Sequence, residues 1–229
     1  MLIVPPWQRP AFPRAADLPP GRGEVGLVAL GGDLSEATLL EAYSKSLFPW
    51  EGRHPLPWCS PDPRAILIPT AFRASRSLRK LDRQGRYAIT FNAAFTEVMR
   101  ACATTPRPGQ DGTWITAAMI EAYTALHRRG VAWSVEVWPS EAVGEILVGG
   151  LYGLKIAGAF FGESMFSRAP SASKLALYHA CQRLASMGVS LIDCQQDTPH
   201  LRSLGSQIVN RATFIERIRA AGVVERHDG

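Results

Sequence analysis

What most constrains this chain is a change of pattern at residue 131. From there AWSVEVW, EILVGGLYGL and KIAGAFFGESMF are strand-like runs in succession, separated by turn residues, and they read as an antiparallel meander. A helix from Ser171 to Met187 follows, Gly188 ends it, and VSLIDC is a short apolar run of the length expected for a buried strand. The resulting β-β-β-α-β order is that of mixed α+β acyl-transfer folds and predicts the α+β class.

Ahead of that pattern, helices and short strands mix. The first twenty-five residues, rich in proline, glycine and arginine, read as an extended surface arm rather than a regular element. Ser35 is placed to cap a short helix carrying Leu39, Leu40 and Tyr43, which Pro49 and Trp50 end. Arg64 to Ile68 reads as a short strand, SRSLRKLDRQG as a helix closed by Gly85, and Tyr87 to Phe91 as an alternating strand. Asn92 is placed to cap a helix through Ala103, and after a loop of glycine and proline Thr116 is placed to cap another, running to Arg129 and stopping at Gly130. A boundary is expected near residue 90, between a small mixed N-terminal domain (1–90) and a larger C-terminal domain (91–229).

The 229 residues suffice for a proper core, and 46% hydrophobic with 20% charged residues is a globular balance. Four cysteines, Cys59, Cys102, Cys181 and Cys194, are widely spaced, with no CxxC pair and no histidine at ligand spacing, so neither a zinc site nor a disulfide framework is expected. The amino end has no secretory pattern and no stretch is long and apolar enough to cross a bilayer, which predicts a cytoplasmic protein without a membrane partner. A net charge of +5 modestly favours a polyanionic partner such as nucleic acid.

Polar residues interrupt apolar strand ends at Glu163 in FFGESMFS and at Asp193 and Gln195 in LIDCQ. A carboxylate there is costly to bury alone, so it pairs, orients another group, faces a cleft, or caps a neighbouring helix. Arg76, Arg79, Lys80 and Arg83 fall at i, i+3, i+4 and i+7 and share one helix face, suited to phosphates or to solvent. Trp50, Trp114 and Tyr123 either stack on a nucleobase or pack in the core.

Read together, GLVALGGDLS, LFPW, PWCSPDPR, SRSLRK, TWIT, SVEVW, VGGLYG, FFGESMFSR, ASK, LIDCQ and HLRSLGS resemble, in this order and over roughly residues 5 to 215, the leucyl/phenylalanyl-tRNA-protein transferase family. The resemblance implies a small N-terminal domain before an acetyltransferase-like one. It implies an enzyme that moves Leu or Phe, and less readily Met, from charged tRNA to the α-amino group of proteins beginning with Arg or Lys. The product is an N-degron, made by ester aminolysis with no covalent enzyme intermediate and no metal or organic cofactor. On the matching positions it implies a catalytic group of Glu163, Asp193 and Gln195. Trp50, Trp114, Tyr43 and Tyr123 would hold the aminoacyl-adenosine, and Arg76, Arg79, Lys80 and Arg83 would contact tRNA. Leu151, Phe160, Met165, Leu177 and Ile192 lie on elements flanking the site and are expected to form an apolar pocket for the donor side chain.

The chain departs from the family pattern at Cys59, after Trp58, where a second tryptophan is usual, and at Trp133, where histidine is usual. Arg202 and Ser206 stand where alanines are common. A histidine base at position 133 is thereby excluded. Two rival readings are weaker. An acetyl-CoA-dependent N-acetyltransferase needs a glycine-rich pyrophosphate turn, and GESMFSRAPS stands in its place; a non-catalytic RNA-binding module leaves Glu163, Asp193 and Gln195 without a role.

Overall fold

A computed structural model describes residues 2–4, 11–19, 25–52, 54–106 and 113–225. The N-terminal unit has β1 (Leu2–Val4), β2 (Leu27–Gly31), α1 (Glu36–Ser44), β3 (Phe48–Pro49) and β4 (Pro57–Cys59), with its four strands in the order β1-β2-β4-β3. The expectation of an arm without regular structure is corrected at Leu2–Val4, which pairs in parallel with Ala29–Gly31. Its segments 5–10 and 20–24 lie outside the described residues. Ser35 caps α1 as expected, its hydroxyl oxygen accepting from the Thr38 N–H at 3.3 Å.

The rest of the chain builds a seven-stranded sheet. Its elements are β5 (Arg64–Leu67), α2 (Arg76–Arg83), β6 (Tyr87–Phe91), α3 (Phe95–Thr104), α4 (Ala117–Arg128), β7 (Ala132–Pro139), β8 (Gly149–Ile156), β9 (Ala159–Ser167), α5 (Ala172–Ser186), β10 (Leu191–Gln195), α6 (Pro199–Ser203), β11 (Gln207–Val209) and α7 (Arg211–Ala220). The strand order is β11-β5-β10-β9-β8-β7-β6. The expected meander is β7-β8-β9, and the β-β-β-α-β order is completed by α5 and by β10, which pairs in parallel with β9. Sheet membership changes between Cys59 and Arg64, because β5 hydrogen-bonds to β10 and β11.

Alternation along the strands supplies both faces of this sheet. Trp133, Val135 and Val137 of β7, with Leu151 of β8 and Phe160 of β9, pack toward α5 and Leu78 of α2. Ala132, Trp138, Tyr152, Leu154 and Phe161 face the other way, toward α3, α4 and the N-terminal unit. Here α7 closes the fold: Phe214 is buried, while Arg211 donates to the carbonyls of Pro19 at 2.8 Å and Ser60 at 2.6 Å.

One expected cap is replaced. Asn92 does not cap α3; its side chain accepts from the Ser134 N–H at 2.9 Å. The wholly buried Glu136 stands at the α3 N-terminus instead, accepting from the Ser134 hydroxyl at 2.5 Å, the Thr90 hydroxyl at 2.6 Å and, at longer range, the N–H groups of Ala93 and Ala94. A buried acceptor serving several donors is costly to remove, because each donor keeps its desolvation penalty. Glu136→Ala is expected to lower unfolding free energy by about 3 kcal/mol in urea titrations, and Glu136→Gln by less than half of that, since the amide oxygen still accepts.

Candidate functional site

β10 stays paired with β9 only over Leu191–Asp193, opposite Ala159–Phe161. Beyond that β9 continues along β8 to Ser167 while β10 ends at Gln195, so the two parallel strands part where Glu163 and Gln195 stand. A register shift against β5 falls between Asp193 and Gln195, and Gln195 takes a left-handed backbone with φ of 61°. A bulge of this kind re-aims a side chain, and a non-glycine residue persists there only when its surroundings hold it. Asp193 does so: its Oδ1 accepts from the Gln195 N–H at 2.8 Å. The three polar residues singled out from the strand ends are thus brought together.

Asp193 is itself held by a residue that sequence reasoning did not single out. Arg64, on β5, donates from Nε to Oδ1 at 2.9 Å and from Nη2 to Oδ2 at 2.7 Å, and both side chains are fully buried. The guanidinium lies over the rings of Phe48 and Phe214, 4.8 Å and 4.6 Å from their centroids, and reaches the Ser46 carbonyl at 3.4 Å. The paired fork satisfies both carboxylate oxygens in a geometry that lysine lacks. An arginine leading the apolar run AIL was the only local signal.

Glu163, 8% exposed, accepts at Oε1 from the Tyr43 hydroxyl at 2.6 Å and from Gln195 Nε2 at 3.0 Å. Tyr123, 2.6 Å from the Tyr43 hydroxyl, donates to Oε2 at 3.3 Å. Burial raises this carboxyl to about 7, with Asp193 adding to the rise and the Tyr43 and Tyr123 hydrogen bonds and Arg64 opposing it. The folded chain therefore binds this proton more tightly than the unfolded one, and the group costs stability as pH rises from the ordinary carboxyl range through 7. Burial first, then the Glu163 charge, holds both tyrosines well above the usual phenol range. Tyr43 and Tyr123, expected from the sequence to hold the aminoacyl-adenosine, are both fully buried here, with their hydroxyls bonded to the Glu163 carboxylate and 2.6 Å from each other.

Two cavities open on this group. Leu151, Phe160, Met165, Leu177 and Ile192, the five residues expected around a donor side chain, line one of about 290 Å3. Trp50 and Trp114, with Phe48 and Pro49, line a second of about 190 Å3. Glu163, Cys194, Gln195, Thr198 and Leu201 belong to both walls. Larger surface depressions beside α3 hold none of these residues.

On α2, Arg76, Arg79, Lys80 and Arg83 are exposed while Leu78 points inward. None of the four lines either cavity, but Asp82 of the same helix lies 2.7 Å from His179 of α5, the helix that carries Leu177. Among the described residues no group of three or more His, Cys, Asp or Glu side chains is arranged to hold a metal ion, and no helix is long and apolar enough to cross a membrane.

The Arg64–Asp193 pair yields a stability prediction. Arg64→Met strands a buried carboxylate and is expected to cost about 3–5 kcal/mol by chemical denaturation. Arg64→Met with Asp193→Leu should recover most of that loss, because the uncompensated charge is gone.

Comparison with known proteins gives this geometry a context. Residues 66–219 match the family described as leucyl/phenylalanyl-tRNA protein transferase, and residues 32–62 match the N-terminal domain of the same family. The chain is 48% identical over 215 residues to the leucyl/phenylalanyl-tRNA–protein transferase of Anaeromyxobacter dehalogenans, covering 93% of this chain and 89% of that one. It is 50% identical over 213 residues to that of Syntrophotalea carbinolica, with the same coverages, and 54% identical over 197 residues to that of Pseudomonas fluorescens, covering 85% and 84%. Solved structures resemble it weakly: a GCN5-related N-acetyltransferase from Sphaerobacter thermophilus matches at a TM-score of 0.39 and 13% identity over 80% of this chain and 56% of that one. On the sequence matches, the chain belongs to the leucyl/phenylalanyl-tRNA protein transferases, enzymes that move aminoacyl groups from tRNA to proteins.

Proposed function

We propose that this chain transfers Leu or Phe, and less readily Met, from charged tRNA to the α-amino group of proteins that begin with Arg or Lys, creating an N-degron in the cytoplasm. The observation that carries the reading is that an apolar cavity and a tryptophan-lined cavity share the Glu163–Gln195 wall. The first suits a donor side chain, the second the terminal adenosine, and the ester joining them would lie at that wall. The stripe of Arg76, Arg79, Lys80 and Arg83 is free to meet tRNA phosphates.

In this reading the acceptor nitrogen attacks the ester carbonyl carbon, a C–N bond forms, the carbon–oxygen bond to the ribose breaks, and the nitrogen's proton ends on the ribose oxygen. The donor is already an activated ester, so no covalent enzyme intermediate is needed. Gln195 is turned by its Nε2 toward Glu163, which leaves its side-chain oxygen to accept a hydrogen bond from the attacking amine and fix the angle of attack. Both oxygens of Asp193 are engaged with Arg64, so the proton's route here runs through water or the neighbouring ribose hydroxyl, and Asp193 acts by holding the Gln195 backbone. Glu163 supplies the negative charge that attracts a cationic acceptor end.

The test is transfer of labelled Leu from charged tRNA to a peptide starting with Arg and to its N-acetylated form. Transfer to the free peptide alone is expected; tRNA binding with no transfer to either would favour an RNA-binding module instead. Gln195→Ala should lower kcat about a hundredfold with little change in KM for the charged tRNA, since it removes orientation rather than binding.

The pH profile provides a second check. The wild-type rate should climb through about 7 as Glu163 ionises and climb further toward about 8 as the acceptor α-amine loses its proton. Glu163→Gln should abolish the lower limb and keep the upper one; a lower limb that survives this substitution rules out the role given to Glu163.

A further inference from the structure

Phe160 borders two spaces. It lines the apolar cavity beside Gln195 and also a crevice bounded by Phe91, Trp133, Val135, Ala180 and Leu184. The crevice measures about 10 Å3. A single water needs about 10–15 Å3, so the ring has nowhere to retreat. On the sheet side the ring lies over Gly153, where an added Cβ would stand 2.6 Å from Phe160 Cζ and 2.8 Å from Cε1. Gly153 is paired across β7 and β8 with Trp133, whose indole Nε1 donates to the Gly130 carbonyl at 2.9 Å. A bare backbone position thus sits beside a large, anchored indole, and the Phe160 ring occupies the gap.

We infer that Gly153 and Trp133 set the size of donor side chain this enzyme accepts, as positioning residues that fix how far Phe160 stands back from the cavity. The inference rests on the proposed use of that cavity for the donor. Gly153 allows the ring to lie back against the sheet, and Trp133 prevents it from lying back further. A donor pocket that selects by apolar fit is sensitive to such shifts, since one methylene's worth of space changes kcat/KM by about ten- to two-hundredfold.

The experiment measures kcat and KM separately for Leu and Phe transfer from charged tRNA to a peptide beginning with Arg, using the full chain. Trp133→Ala opens the crevice and is expected to shift preference about tenfold toward the longer Phe, chiefly through KM, and to admit Trp from its charged tRNA. Trp133→Phe should return the preference toward the wild-type ratio. Gly153→Ala should push the ring forward and shift preference toward Leu. The same Cβ would meet the Phe161 carbonyl oxygen at 2.2 Å and strain the β8–β9 pairing, so the half-buried Trp133 carries the test if that variant does not fold. A wild type that transfers both donors, with a Leu-to-Phe ratio unmoved in Trp133→Ala, overturns the inference and leaves the proposed reaction standing. A wild type that transfers neither donor overturns the proposed reaction and this inference with it.

Discussion

The structure depends on one buried ion pair. Arg64 and Asp193 are both removed from water, a transfer that costs several kcal/mol per ion unless each charge is met in full. The fork of the guanidinium on the carboxylate, the rings of Phe48 and Phe214 beneath the guanidinium, and the Ser46 carbonyl together provide that compensation. Each partner comes from a different part of the chain: β3 and the turn before it, β5, β10 and α7 all have to arrive for the pair to be tolerable. The N-terminal unit is therefore held to the catalytic sheet through the pair that shapes the site.

From that pair a relay of contacts runs outward. Asp193 holds the backbone of Gln195 in a conformation its residue type disfavours, Gln195 donates to Glu163, and Glu163 rests on two buried tyrosines from α1 and α4. Helices α1 and α4 and strands β9 and β10 thus converge on two side chains that line the cleft. The remaining members, Arg64, Asp193, Tyr43 and Tyr123, are fully buried, so in the proposed reaction they act only by holding the two cleft-lining groups in place.

How much of this was legible in the sequence follows from the range of each interaction. The meander, α5 and the caps of α1 and α4 were readable because they are local, resting on strand alternation and on a hydroxyl three residues ahead of an N–H. Glu163, Asp193 and Gln195 stood out because polar residues at apolar strand ends need an explanation. Arg64 was not readable as a site residue, since its partner lies 129 positions away. The same distance hid the pairing of β5 with β10 and β11. Asn92 looked like a cap and was not one, because Glu136 reaches the same helix end from a neighbouring strand. The complete burial of Tyr43 and Tyr123 was not legible either, because burial cannot be read from residue type.

The position of β5 in the sheet order bears on how the chain acquires its shape during synthesis. β5 is an interior strand, yet both of its neighbours, β10 and β11, begin beyond residue 190. A ribosome that has released the first 180 residues has exposed Arg64 with neither a carboxylate nor a flanking strand to receive it. Contacts of such sequence separation form late and slowly, because the intervening loop must close before they contribute. The meander from β6 to β9 can assemble on its own neighbours during elongation, whereas the proposed aminoacyl-transfer site comes into being only when the final strands are threaded in beside β5. A chain cut short before Asp193 thus has no partially working site, and it carries an unmatched cation where its core should close.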